Sequence, residues 1–143
     1  MISTREQALE ALFLCLKSIS EPDVKRNEPL PTKVAAAGLI IVRDGSSGDP
    51  EVVLSPTRYV YLHRAEVEVL VQQADQAERD AALDTLLVAV GTALAGNVTL
   101  GGKVDIAHPG SPELLQETIE GAPTIKAAVV PVYLEYTTLN PLQ

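Results

Sequence analysis

An α+β fold, two helices packed on a mainly antiparallel sheet of about four to six strands, is what this chain of 143 residues predicts. Three observations carry that reading. First, Tyr59, Tyr61, His63, Ala65, Val67, Val69 and Val71 alternate with Arg58, Arg64, Glu66, Glu68 and Gln72, the period of two that marks a half-buried strand over Arg58–Gln73. Second, two segments with capping signals carry leucines at helical spacing, one at the N-terminus and one just after the long strand. Third, the remaining apolar runs are short, β-prone and separated by Gly, Pro, Ser and Asp.

The elements follow in order. Ser3 and Glu6 have the capping-box spacing, and Leu9, Leu12, Leu16 and Ile19 then recur every three or four residues, predicting a helix of roughly four turns. Glu21-Pro22-Asp23 ends it. A short extended piece over Val24–Asn27 leads into Glu28-Pro29-Leu30-Pro31, whose prolines forbid helix and stiffen the loop. Leu39–Arg43 and Glu51–Leu54 read as a hairpin across the Asp44–Pro50 turn. After the long strand, Asp75 and Glu78 cap a second helix, Leu83, Leu86, Leu87, Val90 and Leu94 line it, and Gly96 is placed to end it in the left-handed conformation. Gly101-Gly102 introduces a strand over Lys103–Ala107, broken by His108-Pro109-Gly110-Ser111-Pro112. Glu113–Pro123 reads as a loop with one helical turn. Lys126–Tyr136 is a final strand apolar enough to be central, although Pro131 belongs at an edge or a bulge because it cannot donate to a ladder.

Composition bounds the function. The length suits a single α+β domain, residues 1–143, with a core that needs neither disulfides nor metal. Apolar residues make up 46% and aromatics only 3%, so that core is aliphatic. A formal net charge of −8 opposes general affinity for nucleic acid or anionic membrane. One cysteine, Cys15, forms no internal disulfide and lies at helical spacing with Leu12, Leu16 and Ile19, which predicts a buried thiol. No run approaches the ~20 apolar residues of a membrane helix, and the N-terminal region lacks the zones of a signal peptide, so a soluble, cytosolic protein is expected.

No catalytic or cofactor signature stands out. Gly96-x4-Gly101-Gly102-Lys103 approaches a phosphate loop, yet the lysine is displaced, Val104 replaces the magnesium-binding hydroxyl, and the segment follows a helix instead of opening one. Gly45-Ser46-Ser47-Gly48-Asp49 lacks the spacing of a nucleophile elbow. His63 and His108 have no acid or cysteine at ligand spacing, and His63 shares its face with Tyr59 and Tyr61, as an interior hydrogen-bonded histidine does. Glu66 and Glu68 are paired carboxylates on one strand face, which suits a solvated or subunit-contacting surface as well as acid/base work. Asn97-Val98-Thr99 has the form of a glycosylation acceptor, idle without secretion. Catalytic residues, metal and cofactor are each expected to be none.

The order of elements resembles a family. The N-terminal helix, Lys25-Arg26-Asn27, Pro29-Leu30-Pro31, Leu39-Ile40-Ile41-Val42-Arg43-Asp44-Gly45, the strand from Tyr61 to Gln72 and Ala82-Leu83-Asp84-Thr85-Leu86 follow one another. With Leu100-Gly101-Gly102-Lys103-Val104-Asp105-Ile106 and a final strand from Val129 to Tyr136, the chain is similar to the tail terminator proteins of long-tailed phages, the minor tail protein U type. The resemblance implies a non-enzymatic subunit of the virion tail, assembled in the cytoplasm of a bacterial host. It implies a homo-oligomeric ring, usually of six, on the tail tube, which ends tube growth and offers a surface to a head-completion or connector protein while DNA passes through the lumen. A closed ring needs a different patch on each side of the subunit. Candidate halves are Arg58 and Arg64 against Glu66 and Glu68, together with the predicted hairpin tip from Asp44 to Glu51. Another neck or tail-completion protein is the alternative, and a ligand-binding or enzymatic domain around Tyr59, Tyr61 and His63 is a further one.

Overall fold

A computed structural model describes residues 1–118 and 120–143. Helix α1 (Thr4–Lys17) begins where Ser3 accepts a hydrogen bond from the Glu6 amide at 3.1 Å, and helix α2 (Gln76–Ala95) where Asp75 accepts one from the Glu78 amide at 3.0 Å. Each cap satisfies an amide that the first helical turn leaves without a partner. The C-terminal end of α2 differs from expectation. Gly96 stays right-handed at φ −79°, and the chain turns later, at Leu100, Gly101 and Gly102, where φ is positive.

Among the described residues seven strands form one sheet, more than the four to six expected: β1 (Asp23–Arg26), β2 (Leu39–Ser46), β3 (Glu51–Val53), β4 (Arg58–Gln72), β5 (Ile106–Pro109), β6 (Glu113–Glu117) and β7 (Ile125–Thr138). The order is β1-β2-β4-β7-β5, with β3 also on β4 and β6 also on β7. Among the described residues only β1–β2 is parallel, and residues 27–38 supply the long crossover that a parallel pair needs. The fold class is α+β with a mixed sheet.

The extra strands come from segments whose partners are remote in sequence. The expected β2–β3 hairpin does not form; both strands pair with β4 instead, β2 at Arg64–Leu70 and β3 at Arg58–Val60. The length of β4 decides this, since its edge carries enough unpaired backbone for two partners in line. In the same way β5 and β6 lie one after the other along β7. The strand expected at Lys103–Ala107 begins only at Ile106, after a turn closed by Thr99 carbonyl bonds to the amides of Gly102 and Val104. The segment expected to hold a helical turn contains β6, although Ile119 lies outside the described residues.

Pro131 sits in a central strand without breaking it. Its carbonyl accepts from the Gly110 amide at 2.7 Å, so its backbone polar side faces β5 and β6, at the gap between them. The missing N–H falls where no strand residue asks for it, and the β4–β7 ladder runs through intact.

Both helices cover one face of the sheet. There Ala8, Leu9, Leu12 and Leu16 of α1 and Leu83, Leu86, Val90 and Leu94 of α2 pack on Ile40, Val42, Val67, Val69, Val130 and Leu134. Fully burying one such leucine stabilises the fold by about 1.5–3 kcal/mol. The opposite face has only a small cluster, Val34, Leu39, Ile41, Leu70 and Ile125, plugged by the crossover through Val34. Cys15 is buried, with its Sγ 3.5 Å from the Ala93 carbonyl oxygen of α2.

Candidate functional site

The helix-free face of the sheet is the candidate site. Register places Arg58, Arg64, Glu66 and Glu68 of β4 on that face, with Glu51 beside Val60, so five of the six sequence-predicted residues share it. Asp44 does not join them. It points to the helix side, where its carboxylate lies 3.0 Å from the Arg26 guanidinium.

The predicted charges are not equivalent. Arg58, Arg64 and Glu51 are exposed, whereas Glu66 and Glu68 are half-buried. Glu68 is paired across strands with Arg43, both carboxylate oxygens lying 3.3 Å from guanidinium nitrogens. Sequence reading missed Arg43 because its partner is 25 residues away. Apolar side chains stand exposed on the same face, Leu62, Val53, Ile106 and Leu115 among them. Toward the β6 end, Leu30, Leu70, Leu115, Ile125, Ala127 and Val129 line an open, mostly apolar groove of about 340 Å³.

Behind this face, on the helix side, an internal polar network fixes the sheet's curvature. Between Arg43 and Ser46 the β2–β4 register slips by one residue, a bulge that bends the strand. Gly45 occupies it at φ +65°, and any Cβ there would lie 2.0 Å from the Arg64 carbonyl oxygen. Buried His63 crosses beneath: its Nε2 is 2.5 Å from the Asp44 carbonyl oxygen and its Nδ1 is 2.9 Å from the Tyr136 hydroxyl. A carbonyl only accepts, so Nε2 carries the proton and the tyrosine donates to Nδ1. Burial lowers the His63 pKa from its ordinary value, against the pull of the Asp44 carbonyl. Burial also pushes Tyr136 up to about 12. Tyr61 stacks on Tyr136 with ring centroids 5.5 Å apart. Both nitrogens of His63 are therefore committed internally, and the Tyr59–Tyr61–His63 face is core.

A second network joins α1 to the β1 edge. Arg26 contacts Glu6 at 2.6 Å, Glu10 at 3.4 Å and Asp44 at 3.0 Å. Hydrogen bonding to Arg26 holds the Glu6 carboxyl below its ordinary pKa, while Glu6 raises that of Arg26. Among the described residues, no group of three His, Cys, Asp or Glu is placed to hold a metal ion. Among them, too, no helix is long and apolar enough to cross a membrane.

No protein-family model matches this chain, and no curated protein matches it. Among solved structures, a chain from the virion of a native gene transfer agent particle is similar, at 14% sequence identity and a TM-score of 0.43, over 89% of this chain and 92% of that chain. A likeness of that degree assigns this chain no role.

Proposed function

We propose that this protein is a structural subunit of a phage-like tail, a terminator that forms a ring on the end of the tail tube, stops tube growth and presents a surface for head joining. One observation carries the reading: a whole sheet face is left free of helices, with exposed Leu62, Val53 and Leu115 set among Arg58, Arg64 and Glu51. Apolar groups interspersed with separated charges suit a macromolecular contact better than an enclosed ligand pocket. The element order that resembles tail terminators adds to it. In this reading Glu51, Arg58, Arg64, Glu66 and Glu68 belong to subunit contacts, and Asp44 acts from behind through Arg26.

Size agrees with a ring of about six. A compact chain of this length behaves as a ball roughly 37 Å across. Touching balls leave a central hole of about 15 Å for four and about 37 Å for six. A duplex roughly 20 Å wide passes only the larger. The acidic surplus, −8 overall, keeps passing phosphates from adhering.

The test mixes the purified chain with cognate tail tubes and images the tube ends. Tubes capped by a ring of five or six subunits and held to a fixed length are expected. Uncapped tubes, or rings of three or four, overturn the proposal.

A further inference from the structure

Two edge strands on opposite sides of the sheet, β6 and β1, are each unpaired on one side, and they are chemically unlike. At one end, Asp105 and Gly110 amides bond to the carbonyls of Glu135 and Pro131, so alternate residues of β7 face β5 and β6. Continuing that alternation, Glu113, Leu115 and Glu117 bond to β7, while Leu114 and Gln116 turn their N–H and C=O groups outward. At the other end, the Asp23 and Asn27 amides bond to Gly38 and Val42, so Val24 and Arg26 turn theirs outward. Among the described residues these four backbone positions take no further partner. β6 is exposed along its whole length, with Leu114 56% and Leu115 49% accessible. An unprotected apolar edge of this kind pairs with another strand when one is offered.

We infer that the β6 edge of one copy pairs with the β1 edge of the next, extending one sheet into another and adding a head-to-tail backbone seam to the contacts made by the helix-free face. Direction and the central charge pair agree. β1 runs parallel to β2, which is antiparallel to β4, and β4 to β7, and β7 to β6. A neighbour related by rotation about the strand direction therefore presents β6 antiparallel to β1. With Val24 opposite Leu114, the helix-free face sets Lys25 against Glu113 and Asp23 against Leu115, an opposite-charge pair with no like-charge clash within β1. On the helix side, Leu114 meets Phe13 and Val24 at an open groove beside β1 that Lys17 and Arg26 also line. The contact is heterologous, one edge meeting a different edge, and repeats until the ring closes. Net charge of −8 on every copy opposes assembly at long range, so local opposite charge at the contact matters more.

The register fixes a test. Lys25 and Glu113 would form a non-hydrogen-bonded antiparallel pair with Cα atoms about 4.5 Å apart, close enough for a disulfide. Chains with Cys15→Ala, Lys25→Cys and Glu113→Cys are oxidised on tube ends, beside a control with Cys15→Ala, Lys25→Cys and Val88→Cys, whose second site is exposed on α2. The inference expects a ladder of covalent oligomers forming at least about tenfold faster than in the control. A mixture of the two single-cysteine chains should stop at dimers. This inference rests on the ring-forming reading, and the two fail separately. Rings whose subunits link no faster through the edge pair than through the control overturn the edge pairing and leave the ring. A preferential link without any closed ring supports the edge pairing and overturns the ring. Tube ends bearing no ring and showing no preferential link overturn both.

Discussion

Replacing His63 by phenylalanine keeps the volume of a ring in the core and removes both of its hydrogen bonds. The Asp44 carbonyl, 2.5 Å from Nε2, and the Tyr136 hydroxyl, 2.9 Å from Nδ1, are then left unpartnered next to a side chain only 2% exposed. An orphaned buried polar group costs about 1–3 kcal/mol, so His63→Phe should destabilise by about 2–4 kcal/mol once partial relaxation toward water is allowed. Urea unfolding at pH 7.5 reads this as a midpoint lower by on the order of 1–2 M, with little change in slope. Because one lost bond is shared, Tyr136→Phe should cost about 1 kcal/mol less in the His63→Phe background than alone. Stability should also depend on pH through this ring. His63 stays neutral in the fold, whereas in the unfolded chain it takes up a proton near its ordinary value of 6.5. The unfolded state then binds more protons, so this contribution is present above pH 6.5 and is lost as pH falls toward the depressed folded value. His63→Phe should abolish that component. A cost below about 0.5 kcal/mol, or full additivity with Tyr136→Phe, would refute the assignment of this network.

Gly45→Ala should destabilise by on the order of 2–4 kcal/mol in the same assay, since φ is +65° and the added Cβ meets the Arg64 carbonyl at 2.0 Å; a loss no larger than about 0.5 kcal/mol would show that the bulge relaxes freely. Burial raises the Cys15 pKa, so the folded chain should react with a thiol reagent far more slowly than the urea-unfolded chain, and equal rates would contradict a buried thiol. Cys15→Ala should cost on the order of 1 kcal/mol by differential scanning calorimetry, through lost contact with α2.

What the sequence disclosed follows the range of its interactions. Both helix starts were legible because Ser3–Glu6 and Asp75–Glu78 act within one turn. The long strand was legible because its two faces meet different media over most of its length, exposed Arg58, Leu62 and Arg64 on one and buried Tyr61, His63, Ala65 and Val67 on the other. Pairing partners were not. β2 and β3 look like a local hairpin, and only the unspent edge of β4 reveals why each joins it separately. β6 was invisible for a different reason: all five of its residues are exposed, so no burial pattern marks it as a strand. The candidate face emerged in outline from the alternation Arg64, Glu66, Glu68. Asp44 was misplaced with it because β2 runs on through the expected turn, so that alternation puts Asp44 on the face opposite to Arg43, and Arg43 went unnoticed because its ion pair is tertiary.

The break between β5 and β6, opposite Pro131, leaves β6 held differently from the strands near the core. It touches the sheet through one ladder with β7, buries none of its own side chains, and is separated from β5 by Gly110, Ser111 and Pro112. Such a segment opens on its own, at a free energy well below that of the whole chain, while β4 and β7, registered over 14 residue pairs, separate only when the molecule unfolds. Stability is therefore graded across the sheet, and the melting temperature reports only its centre. A substitution in β6 changes how often that strand detaches and leaves the global transition where it was, so the edge's grip on a neighbour and the stability of the fold that carries it are set separately.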